Sequence, residues 1–139
     1  MFSWNCISMF MPIKRFSVLF LLLMFAQQVE AKDLCLGTFS SLHFNTEGGD
    51  LLGVEIKIVH TESGKEAAIQ FSEGEPGALI MAPIVCNGSH VSFKLPRDAS
   101  RPAATFEGNV SKVRLIGEFV FESGAHDKVV LPRRKSYWD

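Results

Sequence analysis

The chain has 139 residues, of which 47% are apolar and 21% are charged, and its formal net charge is −1. This length fits one small domain and excludes a large multidomain enzyme. A net charge near zero argues against a protein built to bind nucleic acid, because such a protein needs a clustered basic surface. The apolar content excludes a disordered chain. Composition therefore predicts one small folded domain with no nucleic acid partner.

The first 31 residues have the profile of a signal peptide. An uncharged apolar run of eleven residues, from Phe16 to Ala26, follows Lys14 and Arg15, and Val29-Glu30-Ala31 offers small residues to a signal peptidase. The run is too short for a membrane-spanning helix, which takes about 20 residues. We expect residues 1–31 to be removed, which leaves no stable membrane anchor. The remaining domain, residues 32–139, is then periplasmic or secreted.

Two of the three cysteines, Cys35 and Cys86, belong to the predicted mature domain, whereas Cys6 precedes the apolar run. An even number of cysteines in an exported chain favours a disulfide, because the compartment is oxidising. The bond would close a loop of about fifty residues, which the chain-entropy model values at roughly 4 kcal/mol. Two buried free thiols are the alternative, since cysteine is often buried without being bonded.

From residue 34 onward apolar and polar residues alternate, and no window of a dozen residues keeps a helical period. The alternation predicts eight strands, near residues 36–44, 51–60, 65–72, 78–86, 89–95, 103–110, 113–122 and 128–133. Most connections are short, so successive strands are antiparallel neighbours. The predicted fold is all-β, an antiparallel up-and-down meander of about eight strands that closes into a small barrel. A two-sheet β-sandwich is the alternative.

Turn residues predict how three of the hairpins pair. The turns are Ser63-Gly64, Asn87-Gly88 and Ser111-Lys112, and Asn-Gly is the strongest signal because a type I′ turn needs positive φ at both central residues. These turns place Ile58 opposite Ile69, Ile84 opposite Val91, and Phe106 opposite Gly117. A glycine within a strand predicts a tight bend covered by a large side chain from across the sheet.

Several of these residues resemble the motifs of one family. Leu36-Gly37-Thr38-Phe39 is similar to the Gly-x-Trp that opens the first strand of lipocalins, with Phe in place of Trp, and Arg133 or Arg134 follows the last strand, where that family often packs a basic residue over the ring. Two later segments resemble the glycine-bearing strands of small lipocalin-like domains in exported bacterial proteins: Phe106-x-Gly108 and Leu115-x-Gly117-x-Phe119. The C-terminal segment is similar to a tail on some of these domains: Lys135-Ser136-Tyr137-Trp138-Asp139. The resemblance covers almost the whole mature chain and implies a calycin-type barrel, a fold that hosts many functions.

Signals for catalysis are sparse. The sequence has no motif of the common hydrolases, phosphate-binding loops or metalloproteases, and no pattern typical of a cofactor or metal site. Ser123, His126 and Asp127 are the residue types of a catalytic triad, but all three lie in one predicted hairpin loop. A triad needs its base oriented between the other two groups, so we expect turn residues here and a protein that is not an enzyme.

The inward positions suggest a binding site for a small apolar or amphipathic ligand. The candidate residues are His60, Phe71, Phe93, Phe106, Phe119 and Phe121. The same phenylalanines would equally fill a solid core. His60, near a strand end, is either a polar group of the cavity or a histidine on the barrel rim.

The alternative function is a protein-interaction or inhibitor module acting through its loops, an edge strand and the C-terminal tail. Residues 78–85 are apolar on both faces, so we expect Leu79, Met81 and Val85 to be covered by the tail, a protein partner or a second copy. The basic and aromatic tail, Arg133-Arg134-Lys135 with Tyr137 and Trp138, suits an anionic surface or a partner's groove. A solvated terminus with one aromatic ring folded back on the barrel is the other interpretation of the tail.

Overall fold

The computed structural model describes residues 33–98 and 101–137. The predicted signal peptide, residues 1–31, lies outside them. The described residues form nine antiparallel strands and no helix, so none of them belongs to a helix that could span a membrane. The strands are β1 (Gly37–Ser40), β2 (His43–Asn45), β3 (Asp50–Thr61), β4 (Gly64–Gly74), β5 (Pro76–Asn87), β6 (His90–Leu95), β7 (Ala104–Val110), β8 (Arg114–Phe121) and β9 (His126–Pro132).

From β3 onward each strand pairs with the next, and β1 and β2 both pair with β3. The first predicted strand, 36–44, is therefore two strands, interrupted at Ser41 and Leu42. Ser41 keeps the interruption attached to β3, because its N–H donates to the Val54 carbonyl at 2.9 Å and its Oγ accepts from the Val54 N–H at 3.1 Å.

The two ends of the meander meet and form a nearly closed barrel. Phe39 of β1 forms a bridge with Arg133, just after β9, and the Arg134 N–H donates to the Thr38 carbonyl at 3.1 Å. The predicted barrel is thus confirmed over the two-sheet sandwich. Its interior is built from inward residues of all the long strands, and the largest fully buried side chains include Phe39, Phe106, Phe119, Ile56, Ile58, Ile69, Leu115 and Leu131.

The predicted hairpin registers are wrong by two residues. Ile58 lies opposite Ala67, Ile84 opposite Phe93, and Phe106 opposite Phe119. In the second hairpin the central residues are Gly88 and Ser89, and Gly88 alone has a positive φ, 62°. This is the arrangement of a turn that needs glycine only at its first central position, whereas the predicted type I′ turn needs positive φ at both.

In the other two hairpins, too, the conformation of the turn explains why the register differs from the predicted one. In the first, Thr61 pairs with Gly64, and Gly64 takes a φ of 126° directly after the turn. In the third, Val110 pairs with Leu115 and the four intervening residues form the loop. A shift of two residues leaves every side chain on its original face. The predicted inward and outward faces therefore survive the change in register.

The predicted cover over the strand glycines is present in the corrected register. Gly108 and Gly117 lie directly opposite each other. A Cβ atom at Gly117 would lie 2.3 Å from Cζ of Phe106, and one at Gly108 would lie 2.9 Å from Cε1 of the same ring. The Phe106 ring therefore occupies the space that both glycines leave empty.

Candidate functional site

One end of the barrel is fixed by a disulfide. Cys35, in the segment before β1, is bonded to Cys86 near the end of β5, with a Cα to Cα distance of 6.5 Å and a sequence separation of 51. Cys35 is fully buried and belongs to the core. The predicted bond is confirmed, and it ties residues 33–36 across this end of the barrel.

Asp33 forms an ion pair beside the disulfide. Its Oδ2 lies 2.5 Å from Nζ of Lys65, and its Oδ1 accepts from the Cys35 N–H at 3.1 Å. The hydrogen bond from Lys65 lowers the pKa of Asp33, with a smaller contribution from the Cys35 N–H, against the opposing effect of burial. Asp33, Cys35 and Cys86 place their ligand atoms within 4.8 Å of one another. Because the two sulfurs are bonded to each other, this cluster offers a metal no thiolate.

Arg133 closes the same end of the barrel. Its guanidinium carbon lies 4.5 Å from the centroid of the Phe39 ring, and the group donates to the carbonyls of Leu34, Leu36 and, at 3.2 Å, Ser111. Gly37 makes room for it: its φ is 128°, and a Cβ there would lie 2.5 Å from Nη1 of Arg133. The contact between a basic residue and an aromatic ring that the resemblance implied is thus present, and Arg133 makes it.

The middle of the barrel holds the five candidate phenylalanines. Ring centroids lie 4.7 Å apart for Phe93 and Phe106, 4.7 Å for Phe106 and Phe119, 5.2 Å for Phe71 and Phe119, and 6.3 Å for Phe119 and Phe121. Four of the side chains are buried and Phe121 is half-buried. The structure therefore brings the five rings together, and they fill the space between the strands.

His60 does not join this group. It is exposed and pairs with Lys65 near one end of β3, whereas Phe71 pairs with Val54. Six residues of strand separate Val54 from His60, which is about 20 Å at 3.3 Å per residue. His60 lies on the rim at the disulfide end, away from the phenylalanines.

The opposite end of the barrel is covered by Arg101, from the connection between β6 and β7. Its guanidinium carbon lies 3.6 Å from the centroid of the Phe71 ring, and its Nη2 lies 3.6 Å from Oε1 of the exposed Glu73. A cation over the face of an aromatic ring is favourable. Sequence analysis missed this contact, because Arg101 lies in a polar stretch with no feature that singles it out.

The outer face of β5 is apolar and exposed. Leu79 is 62% exposed, Met81 49% and Val85 65%, so the described part of the chain does not cover them. Val85 also borders an outer groove of about 370 Å³, with Pro83, Ser92, Lys94, Thr105 and Glu107 around it.

The C-terminal tail lies partly against β3. The buried carboxylate of Glu55 accepts hydrogen bonds from Oγ of Ser136 at 2.5 Å and from the Tyr137 N–H at 2.8 Å. Arg134 and Lys135 are exposed, and Trp138 lies outside the described residues. Sequence analysis missed Glu55, because it alternates with apolar residues as an ordinary solvent-facing charge would.

Ser123, His126 and Asp127 do not converge. The Nδ1 atom of His126 faces Oε1 of Glu118 at 3.3 Å. Asp127 follows His126 in β9, so the two side chains point to opposite faces of the sheet. Ser123 accepts a hydrogen bond from the Ala125 N–H at 3.4 Å within the loop.

Comparisons with models of protein families, with curated proteins and with solved structures give no match.

Proposed function

We propose that this chain is an exported, lipocalin-like barrel that acts as a protein-interaction module and not as an enzyme. The observation that carries the proposal is the exposed apolar row on β5, formed by Leu79, Met81 and Val85. Apolar side chains grouped on a surface mark a site of association more often than scattered single ones do. The neighbouring groove beside Val85 gives a partner a concave feature to fill.

The filled interior supports this proposal over a ligand carrier. The rings of Phe93, Phe106 and Phe119 contact one another where a central cavity would be. Export is supported by the disulfide, since such bonds persist in oxidising compartments. The Arg133 contact with Phe39, above Gly37, supports the likeness to lipocalins.

Site-specific photocrosslinking in cells tests the interaction. A photoreactive residue replaces Leu79 or Val85 in the full chain, and Val113, which is 68% exposed but lies between β7 and β8, serves as the control position. We expect discrete protein adducts from Leu79 and Val85 and none from Val113. Equal adducts at all three positions, or none at Leu79 and Val85, would contradict the proposal.

A small amphipathic ligand is a second candidate, favoured by the Arg101 contact at the end of the barrel opposite the disulfide. Its guanidinium lies on the Phe71 ring and is paired with Glu73, whose side chain is 83% exposed. A carboxylate on an apolar molecule would compete with Glu73 for Arg101 while its chain contacts Phe71 and the half-buried Phe121.

Titration with a fluorescent fatty acid tests the second candidate. This candidate predicts saturable binding that Arg101→Ala weakens. Arg97→Ala, which removes an exposed arginine paired with Glu122, should leave that binding unchanged. Absence of saturable binding to the unsubstituted protein would reject it.

A further inference from the structure

Among the residues that the structure describes, none pairs with one backbone edge of the first half of β5. Between Pro76 and Pro83 this strand pairs with β4, and from Ile84 to Asn87 it pairs with β6 on its other side. No strand of the described residues pairs with the second edge of residues 77–82. The Gly77 carbonyl accepts from Nε2 of Gln70 at 2.9 Å. Along residues 78–82, the backbone N–H and C=O groups that point away from β4 are available to another strand.

The described residues of the neighbouring loop do not cover this edge. Arg101, from the loop between β6 and β7, contacts Phe71 and Glu73 of β4. The backbone hydrogen bonds of the described loops include none to residues 77–82. Ala78 is exposed and Ile80 only half-buried, although both alternate with the outward Leu79 and Met81.

The edge also lacks the protection that free strands usually carry. Natural edge strands are commonly interrupted by lysine, by an inward charge or by proline. No residue of β5 is charged, and its two prolines stand at the ends of the free segment and not inside it. Such an edge is expected to be covered in the working protein.

The sequence of the segment is suited to pairing with itself. Ala78-Leu79-Ile80-Met81-Ala82 has the same order of side-chain sizes in both directions. In an antiparallel pair centred on Ile80, Leu79 lies opposite the partner's Met81, and Ala78 lies opposite the partner's Ala82. Directly opposite side chains share a face of a sheet, so the outward residues meet outward residues.

We propose that two copies of this chain pair through residues 77–82 of β5, antiparallel about a two-fold axis at Ile80. Both copies use the same patch, as a two-fold interface requires, and no charged residue lies in the paired strands. The inference rests on the proposed function, because it names a second copy as the protein that contacts Leu79 and Met81. The added strand would also cover the half-buried Ile80.

Charge pairs at the two opposed positions test the register. In the full chain, Leu79→Lys with Met81→Lys sets like charges opposite each other across the pair, whereas Leu79→Lys with Met81→Glu sets a lysine opposite a glutamate twice. We expect light scattering to give the mass of a dimer for the unsubstituted protein and for the Lys/Glu variant, and the mass of a monomer for the Lys/Lys variant. Val113→Lys, at a 68% exposed position between β7 and β8, is the matched control and is expected to stay dimeric. Circular dichroism of each variant checks that the barrel is folded.

The outcomes separate this inference from the proposed function. An unsubstituted protein that stays monomeric up to its solubility limit, or a Lys/Lys variant that is folded and still dimeric, overturns the β5 pairing. Crosslinks from Leu79 to a different protein would then keep the interaction function while rejecting the second copy as the partner. Crosslinks from Leu79 only to the same chain support both.

Discussion

At the scale of single residues, Arg133 connects segments from both ends of the meander. Its guanidinium binds carbonyls of the segment before β1 and of the loop after β7, and it lies on a ring of β1. These segments are far apart in sequence, so one side chain holds together the two ends of the meander.

Arg133→Ala is expected to destabilise the barrel by about 2–4 kcal/mol, because the carbonyls of Leu34, Leu36 and Ser111 lose a charged donor in a partly buried place. Urea unfolding measures the loss. Arg134→Ala is the control, since the contact of Arg134 with Thr38 is made by its backbone N–H. Equal effects of the two substitutions would show that the guanidinium contacts contribute little.

The ion pair of Asp33 lets us predict how the stability of the folded protein depends on pH. Its folded-state pKa is lowered from the ordinary value of 3.8, mainly by the hydrogen bond from Lys65. A lowered carboxyl pKa stabilises the folded state above the unfolded value, and the stabilisation is lost as the pH falls through the folded value. We expect Asp33→Asn to be less stable than the unsubstituted protein at pH 7, with the difference shrinking below pH 3.8.

Unfolding in urea at a series of pH values measures this difference. Asp127→Asn, which removes an exposed carboxylate of β9, is the control. A difference between Asp33→Asn and the unsubstituted protein that stays constant from pH 7 to acid would contradict a role for the ionised carboxylate.

At the scale of the elements, the pair of β7 and β8 depends on two opposed glycines. A Cβ at Gly117 would meet the Phe106 ring at 2.3 Å and the Glu107 carbonyl at 2.7 Å. We expect Gly117→Ala to cost about 1–3 kcal/mol, as overpacking does. In a Phe106→Leu background the added methyl meets a smaller side chain, so the cost is expected to fall.

A double-mutant cycle in urea measures the coupling between the two positions. The coupling is expected to be favourable, because the two substitutions relieve the same contact. Additive effects would show that the Glu107 carbonyl, and not the Phe106 ring, excludes a side chain at Gly117.

The strands and their faces could be predicted from sequence, because alternation with a period of two reports which side chains are buried. The register of the hairpins could not be predicted, because it depends on which residue of each turn takes positive φ. The sequence predicts a turn centred on Asn87-Gly88, whereas the turn that forms is centred on Gly88 and Ser89. The phenylalanine cluster could be predicted, because it follows from which face of each strand is buried. Arg101 on Phe71 and the tail on Glu55 could not, because each depends on how an irregular segment folds back over the barrel.

At the scale of the whole molecule, the two ends of the barrel are held differently. The disulfide, Arg133 and the pair of Asp33 with Lys65 fix one end. At the other end, Arg101 covers Phe71 and its ion pair with Glu73 lies at the surface. Exposed ion pairs contribute little to stability, so we infer that the end near Arg101 opens more readily.

Removing the disulfide tests this asymmetry. The bond joins residues 51 apart in sequence and so restricts the unfolded chain. The chain-entropy model gives roughly 4 kcal/mol for such a loop, so Cys35→Ser with Cys86→Ser is expected to lose about that much unfolding free energy. A reducing agent should lower the stability of the unsubstituted protein and leave the double variant unchanged. Hydrogen exchange locates the effect: on reduction, the amides of residues 34–36 and 86–91 should lose the most protection, whereas in the oxidised protein the amides around residues 71–80 should already exchange faster. If the amides around residues 71–80 are instead the better protected ones in the oxidised protein, the asymmetry inferred from Arg133 and Asp33 is wrong.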